Sequence, residues 1–115
     1  MREEKGTKIF NKTELEEAAE LLRQGQLVAF PTETVYGLGA NALDGQAVKA
    51  IFSAKGRPAD NPLIVHVANQ NEIEELISNT LSRQTKKLID EFWPGPLTVV
   101  LNKSSKVPEI TTGGL

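Results

Sequence analysis

The sequence has 115 residues, a formal net charge of −2, 39% hydrophobic residues and 24% charged residues. This composition is typical of one ordinary globular domain, and the slight negative charge argues against a surface devoted to nucleic acid, although it leaves room for a local basic site. The absence of cysteine excludes disulfide bonds, thiolate metal ligands and a cysteine nucleophile within this chain. Because His66 is the only histidine, a metal site built on two histidines of this chain is also excluded.

Neither a membrane span nor a secretion signal is predicted from the sequence. No apolar run approaches the roughly 20 residues that cross a bilayer, and the charged start Met1–Gly6 lacks the apolar stretch of a signal peptide. We therefore expect a cytoplasmic protein.

The first predicted elements are a helix and a strand. Thr13 and Glu16 have the spacing of a capping box, and an apolar stripe follows on a helix that we expect to end at Gly25. The stripe consists of Leu15, Ala18, Ala19 and Leu22. The β-prone run Gln26–Phe30, which Pro31 stops, then predicts a buried strand.

A glycine-containing segment separates this strand from a second helix. Residues Pro31–Asn41 predict either a loop or a tight pair of strands. Asp44 is placed to cap the second helix, which should end near Gly56 because the residue before Pro58 avoids the helical region. The apolar face of this helix consists of Val48, Ile51 and Phe52.

The second half of the chain predicts two strands and two helices. The alternating run Leu63–Ala68 predicts the clearest strand, and Leu97–Leu101 predicts another. Between them we expect a short helix over Glu72–Ile77 and a longer one over Ser82–Trp93. The inner side of the longer helix should consist of Leu88, Ile89, Phe92 and Trp93. This alternation of helices and strands predicts an α/β fold built on a parallel or mixed sheet.

The candidate chemistry lies in the polar stretch between Lys55 and Asn61. Common nucleotide motifs fail elsewhere, since Ala42 breaks a G-x-G-x-x-G pattern and no Walker A loop or nucleophile elbow is present. Lys55 and Arg57 can face the same way on extended backbone, and a point charge beside a planar guanidinium suits a polyphosphate. The alternative is a solvated basic turn, which the residue types alone favour because short K-x-R runs are frequent.

Three further positions are weaker candidates. Thr32 follows the first predicted strand, where ligands of open α/β sheets bind, but hydroxyl groups there also satisfy local turns. Tyr36 is interpreted as a core aromatic residue rather than a stacking platform. A lone histidine on a strand, as predicted for His66, is more often structural than catalytic unless its face lines a pocket.

Four blocks of the sequence closely resemble the YrdC family, in the order of the family's motifs. The blocks are Phe30–Gly39, Lys55–Pro58, Asp60–His66 and Trp93–Thr98. Their agreement in order makes chance similarity a poor explanation. The resemblance implies the YrdC-like fold, which is a twisted, mixed α/β sheet with flanking helices around a concave, positively charged cavity.

The resemblance also implies the activity of L-threonylcarbamoyladenylate synthase. This enzyme forms threonylcarbamoyl-AMP and pyrophosphate from ATP, bicarbonate and L-threonine, for the modification of tRNA. The implied ATP-binding residues are Lys55, Arg57, Ala59 (through its backbone) and Asn61, and the implied L-threonine-binding residues are Thr32 and His66. Mg²⁺ is expected to enter with ATP, and no protein nucleophile is needed because the carboxylated threonine attacks. RNA and downstream tRNA threonylcarbamoyl-transfer proteins are the implied macromolecular partners.

The family pattern continues past the block that ends at Leu115, with an arginine-containing stretch and a Ser-x-Asn block. We therefore expect residues 1–115 to be the N-terminal portion of a single YrdC-like domain, and to be inactive alone. Two other functions stay open: a non-catalytic YrdC paralogue that binds RNA or a nucleotide, and the related carbamoyl-adenylate domain of hydrogenase maturation factors. Thr32 and His66 discriminate in principle, because a bare RNA platform needs no threonine pocket.

Overall fold

The computed structural model describes residues 7–56 and 61–115 of the chain. The chain divides into two compact units, Met1–Arg57 and Pro58–Leu115, which are described one after the other. The regular elements of the first unit are α1 (Leu15–Arg23), β1 (Val28–Phe30), β2 (Gly37–Gly39) and α2 (Gly45–Lys55). The second unit contains α3 (Arg83–Phe92).

Helix α1 begins after a capping box that lies two residues before the predicted one. Asn11 accepts a hydrogen bond from the backbone N–H of Thr13 at 2.9 Å, and Glu14 accepts one from the N–H of Asn11 at 3.1 Å. The short 3-10 turn that these bonds hold leads directly into α1, so the prediction of Thr13 and Glu16 as the box was wrong. Leu15 was also wrong as an inner residue, because its side chain is exposed at the start of the helix.

Strands β1 and β2 form an antiparallel pair, so the segment Pro31–Asn41 holds a loop and one strand, and the partner of that strand lies before the segment rather than within it. Val28 lies opposite Gly39, and Phe30 opposite Gly37. A methyl group on Gly39 would lie 2.7 Å from the Phe30 ring, so the absence of a side chain there lets the ring cross the strand. The predicted burial of this strand was wrong, because Ala29 and Phe30 are exposed in a sheet of two strands.

Helix α2 supplies the core of the first unit, as its sequence predicted. Asp44 accepts hydrogen bonds from the backbone N–H groups of Gln46 and Ala47 at 3.1 and 3.3 Å, which satisfies two of the donors left free at a helix start. The buried residues of α2 are Ala47, Val48, Ile51 and Phe52. Gly56 ends the helix in the left-handed region at φ 65°, which glycine adopts without strain.

Helix α3 supplies one of the buried residues of the second unit. Ser82 caps α3 through the N–H of Thr85 at 3.1 Å, and Ile89 is fully buried. The other buried residues in the described part of this unit are Ile73, Val107 and Thr111. Leu88 and Phe92 were predicted to face inwards, but both are exposed. Of the predicted inner side of α3, the described part of the unit therefore buries Ile89 and leaves Leu88 and Phe92 uncovered.

The helix predicted over Glu72–Ile77 was wrong. A 3-10 turn at Gln70–Glu72 stands in its place, followed by turns. Ile77 then forms an antiparallel bridge with Lys103, and the N–H of Ser104 donates to the carbonyl of Leu76 at 2.8 Å. The N–H of Ser78 likewise donates to the carbonyl of Asn102 at 2.9 Å, so this segment is paired in part with a remote segment, which the local sequence pattern could not reveal.

The strands predicted over Leu63–Ala68 and Leu97–Leu101 join no ladder within the described residues. Their side-chain alternation is nevertheless present, because Leu63, Val65 and Val67 are half-buried while the residues between them are exposed. The backbone N–H of Leu63 donates to the carbonyl of the buried Thr111 at 2.9 Å. The pattern thus predicted which side chains turn inwards, but the pairing partner of each segment was not predicted.

Candidate nucleotide and amino-acid site

Lys55 is the last residue of α2, and its side chain is exposed. The N–H of Gly56 donates back into the helix, to the carbonyls of Phe52 and Ser53, so it is not available to a ligand. The end of a helix also carries partial negative charge, which repels phosphate. A phosphate near this helix end therefore depends on cationic side chains, unlike one cradled by backbone N–H groups at a helix start.

Of the residues predicted to bind ATP together with Lys55, only Asn61 lies within the described residues. Arg57 and Ala59 lie outside the described residues. Among residues 7–56 and 61–115, the structure shows no salt bridge to the Lys55 ammonium, so this cation is not neutralised by a described carboxylate. With respect to the described residues, Lys55 is thus an exposed and unpaired charge of the kind that the phosphate prediction requires, and its joint action with Arg57 stays a prediction.

Thr32 organises the loop between β1 and β2. Its hydroxyl donates to the carbonyl oxygen of Val35 and accepts from the N–H of Thr34 at 3.2 Å. The hydroxyl of Thr34 lies 3.4 Å from that of Thr32, so the hydrogen-bonding capacity of Thr32 is largely used within the loop. The Thr32 hydroxyl therefore satisfies the local turn, which was the alternative to ligand binding. A direct contact of Thr32 with L-threonine stays a prediction.

Asn61 and His66 belong to the second unit, and both side chains are exposed. The two residues stand on either side of Leu63, whose backbone is tied to Thr111. His66 shares the exposed side of its segment with Ile64 and Ala68. Because the imidazole of His66 is exposed, it is not a buried structural group. The described residues therefore do not support a structural role for His66.

The predicted site residues that the structure describes are all exposed. Thr32 and Lys55 lie in the first unit, and Asn61 and His66 lie in the second. A cavity of about 260 Å³ within the second unit, between the start of α3 and residues 100–102, involves neither Asn61 nor His66. Within the described residues, the candidate site residues are therefore exposed side chains that line no described cavity.

Sequence reasoning missed the aromatic residue of the Thr32 loop. Tyr36 was predicted to be in the core, but 75% of its surface is exposed. The Thr-x-Thr pattern before Tyr36 could have indicated its exposure. Hydrogen bonds from the Thr32 hydroxyl to the backbone stabilise this turn, so the turn does not need a buried aromatic side chain. Trp93 behaves as predicted, being half-buried, and its indole N–H donates to the carbonyl of Leu97 at 2.8 Å.

The described residues show neither a metal-binding cluster nor a membrane span. Within the two described ranges, no three His, Asp or Glu side chains lie together in a manner that would hold a metal ion. In the same residues, no helix is both long enough and apolar enough to cross a membrane.

Comparison with known proteins identifies the relatives of this chain. The model of the Sua5/YciO/YrdC family, described as "Telomere recombination", matches residues 20–115. The threonylcarbamoyl-AMP synthase of Pyrococcus abyssi is 60% identical over 98 residues, and that of Bacillus subtilis is 50% identical over 105. These matches cover 85% and 90% of this chain but only 28% and 30% of the relatives.

Solved structures agree with the sequence matches. The crystal structure of P. abyssi Sua5 complexed with L-threonine has a TM-score of 0.83 and 56% identity, covering 94% of this chain and 32% of that one. The solution structure of a Methanobacterium thermoautotrophicum protein has a TM-score of 0.67 and 36% identity, covering all of this chain and 54% of that one. The predicted α/β fold of the YrdC type is thus confirmed, and the chain belongs to the Sua5/YciO/YrdC family.

Proposed function

We propose that the protein carrying this chain synthesises threonylcarbamoyl-AMP. The observation that carries the proposal is the 60% identity over 98 residues to a relative named threonylcarbamoyl-AMP synthase. A structural relative at TM-score 0.83 was crystallised with L-threonine, which supports an amino-acid substrate for this chain as well. Because the chain spans about 30% of these relatives, the proposal concerns the encoded protein rather than these residues alone.

In the proposed reaction, the amino nitrogen of L-threonine bonds to the carbon of bicarbonate, and water leaves to give a carbamate. A carboxylate oxygen of this carbamate attacks the α-phosphorus of ATP, the bond from that phosphorus to the bridging oxygen breaks, and pyrophosphate leaves. Negative charge grows on the leaving oxygens, so fixed cations lower the barrier. Lys55 and Arg57 serve this role on the phosphates, Ala59 and Asn61 contact the nucleotide, and Thr32 and His66 contact threonine.

Mg²⁺ fits this scheme as an ion bound to the substrate. It usually binds substrate phosphates and water through few protein carboxylates, so the lack of a carboxylate cluster in the described residues is compatible with its use. When bound, it would supply neutralisation of the phosphate charge. Nothing in the chain's own chemistry requires a protein nucleophile, since the substrate carbamate provides one.

The product suits a role in tRNA modification, with tRNA and a threonylcarbamoyl-transfer protein acting downstream in the cytoplasm. The decisive measurement uses the encoded protein with ATP, bicarbonate and L-threonine, and follows pyrophosphate release. We expect release that needs all three substrates and falls strongly when L-valine, which replaces the hydroxyl by a methyl group, is supplied instead. Tight RNA binding without any threonine-dependent release would favour the non-catalytic paralogue and end the synthase proposal.

A further inference from the structure

The segment that carries His66, Leu63–Ala68, is held at both of its ends by hydrogen bonds to groups outside it. The N–H of Leu63 donates to the carbonyl of Thr111 at 2.9 Å, and Thr111 is fully buried. At the other end, the N–H of Ala68 donates to the carboxylate of Glu72 at 2.8 Å. His66 therefore lies between two hydrogen-bonded points of the backbone, all within the second unit.

Glu72 forms the second of these anchors through a single atom. Its Oε1 accepts the N–H of Ala68 and also that of Asn69, the latter at 3.1 Å. Hydrogen bonds to an ionised carboxylate are stronger than those between neutral groups. A variant without this oxygen takes the acceptor away from both N–H groups at once. The backbone two and three residues after His66 therefore depends on one side-chain oxygen.

The turn that carries Glu72 is itself tied to packed residues of the second unit. Glu72 is the last residue of a 3-10 turn, and Ile73, which follows it, is buried. The side-chain amide of Gln70, in the same turn, donates to the carboxylate of Asp90 in α3 at 2.9 Å. Because the turn is held by a buried neighbour and by a helix, its carboxylate sets the position of the N–H groups that bind it.

We infer that Glu72 is a positioning residue, which holds the backbone after His66 so that the imidazole meets L-threonine. The inference rests on the proposed function, because it takes His66 to contact that substrate. A side chain that binds a substrate must be held close to its productive geometry, and a small displacement weakens the contact. Glu72 achieves this without touching the substrate, since it acts through the backbone between Ala68 and His66.

The experiment compares the encoded wild-type protein with three variants of Glu72 in steady-state pyrophosphate release. Glu72→Ala should raise the KM for L-threonine roughly 10- to 100-fold. The KM for ATP should not change, because the end of the segment nearer Asn61 keeps its own hydrogen bond at Leu63. Glu72→Gln should restore the wild-type KM for L-threonine, since one amide oxygen can accept both N–H groups. Glu72→Asp keeps the charge but is one methylene shorter, and should not restore it.

Glu14→Ala is the matched control. Glu14 accepts the N–H of Asn11 at 3.1 Å in the same kind of capping box as that of Glu72, but it lies in the first unit. Glu14→Ala should lower the thermal unfolding temperature much as Glu72→Ala does, while both KM values stay at the wild-type level. The same KM for L-threonine in these two variants, a parallel rise in the KM for ATP, or rescue by Glu72→Asp instead of Glu72→Gln would overturn the inference.

A double-mutant cycle tests whether Glu72 acts through His66. Its readout is the Kd for L-threonine in calorimetric titration, which does not require turnover. In a His66→Ala background, Glu72→Ala should change this Kd by less than about twofold. Additive effects, or a wild-type Kd in His66→Ala, would overturn the inference alone. Absence of pyrophosphate release in the wild-type protein would instead end the proposed function and this inference with it, so the two failures are distinguishable.

Discussion

Individual side chains at the ends of elements carry the candidate chemistry of this chain. Lys55 ends α2, and Thr32 lies two residues after the end of β1. Both side chains are exposed, but they differ in what they already bind: the described residues show no ion-pair partner for Lys55, whereas the hydroxyl of Thr32 is bonded within its own loop. Within the described residues, the Lys55 ammonium is thus available to a ligand, whereas the Thr32 hydroxyl is bonded to the backbone of Val35 and Thr34.

Lys55→Ala should weaken ATP binding by the encoded protein. A hydrogen bond to a charged group contributes about 1.5–3 kcal/mol, so we expect the Kd for ATP to rise roughly 10- to 150-fold in calorimetric titration. Lys49→Ala is the matched control, because it removes an exposed lysine from the same helix and should leave the Kd unchanged. Equal affinities in both variants would remove the phosphate role assigned to Lys55.

Thr32→Val and Thr32→Ser separate the hydroxyl from the rest of the side chain. Valine cannot donate to the Val35 carbonyl or accept from the Thr34 N–H, so Thr32→Val should raise the KM for L-threonine and destabilise the loop by about 1 kcal/mol. Thr32→Ser keeps both bonds and should retain most activity. Steady-state kinetics with both variants checks this, and a Thr32→Ser protein as impaired as Thr32→Val would contradict a role for the hydroxyl.

Local hydrogen bonds decide where the helices of this chain begin and end. Asp44 starts α2, Ser82 starts α3, and Gly56 in the left-handed region ends α2. At the end of α3, a methyl group on Gly95 would lie 2.6 Å from the carbonyl oxygen of Phe92, so a residue without a side chain is required in that turn. Element ends built in this way follow from short sequence signals, which is why both long helices were predicted within one or two residues.

Asp44→Ala should lower the free energy of unfolding by about 1 kcal/mol, because the variant leaves two backbone N–H groups at the start of α2 without their acceptor. Asp44→Asn should cost much less, since asparagine is an equally good cap. Urea unfolding monitored by circular dichroism gives both values. Equal losses for the two variants would indicate that the charge of Asp44, rather than its capping oxygen, stabilises the helix.

At the scale of the whole molecule, the described residues leave large apolar side chains exposed. In the segments around residues 63–67 and 97–101, Ile64 and Val100 are 64% and 93% exposed. The described residues provide no sheet neighbour for either segment. The first-named relatives are about three times as long as this chain, since it covers only 28% to 32% of them. Exposed strand-like segments of this kind favour pairing with other chains.

A polypeptide of these 115 residues should therefore self-associate as its concentration rises. Light scattering after size-exclusion chromatography should show species above the monomer mass of 12.5 kDa. Lysine substitutions at Ile64 and Val100 should reduce association, because charge on an exposed edge opposes pairing. Ser53→Lys adds the same charge on exposed α2 surface and should not reduce it. A compact, stable monomer at all concentrations would contradict this expectation.

The sequence by itself determined α2, α3, the family and the alternation of residues 63–67. Helices depend on hydrogen bonds between residues four apart and on caps, so Asp44 was a sufficient local signal for the start of α2. Only the tertiary structure decided the pairing of Ile77 with Lys103 and the exposure of Leu88, Phe92 and Tyr36. A strand partner or a cover for an apolar face comes from residues remote in the chain, and no local pattern encodes which residues those are.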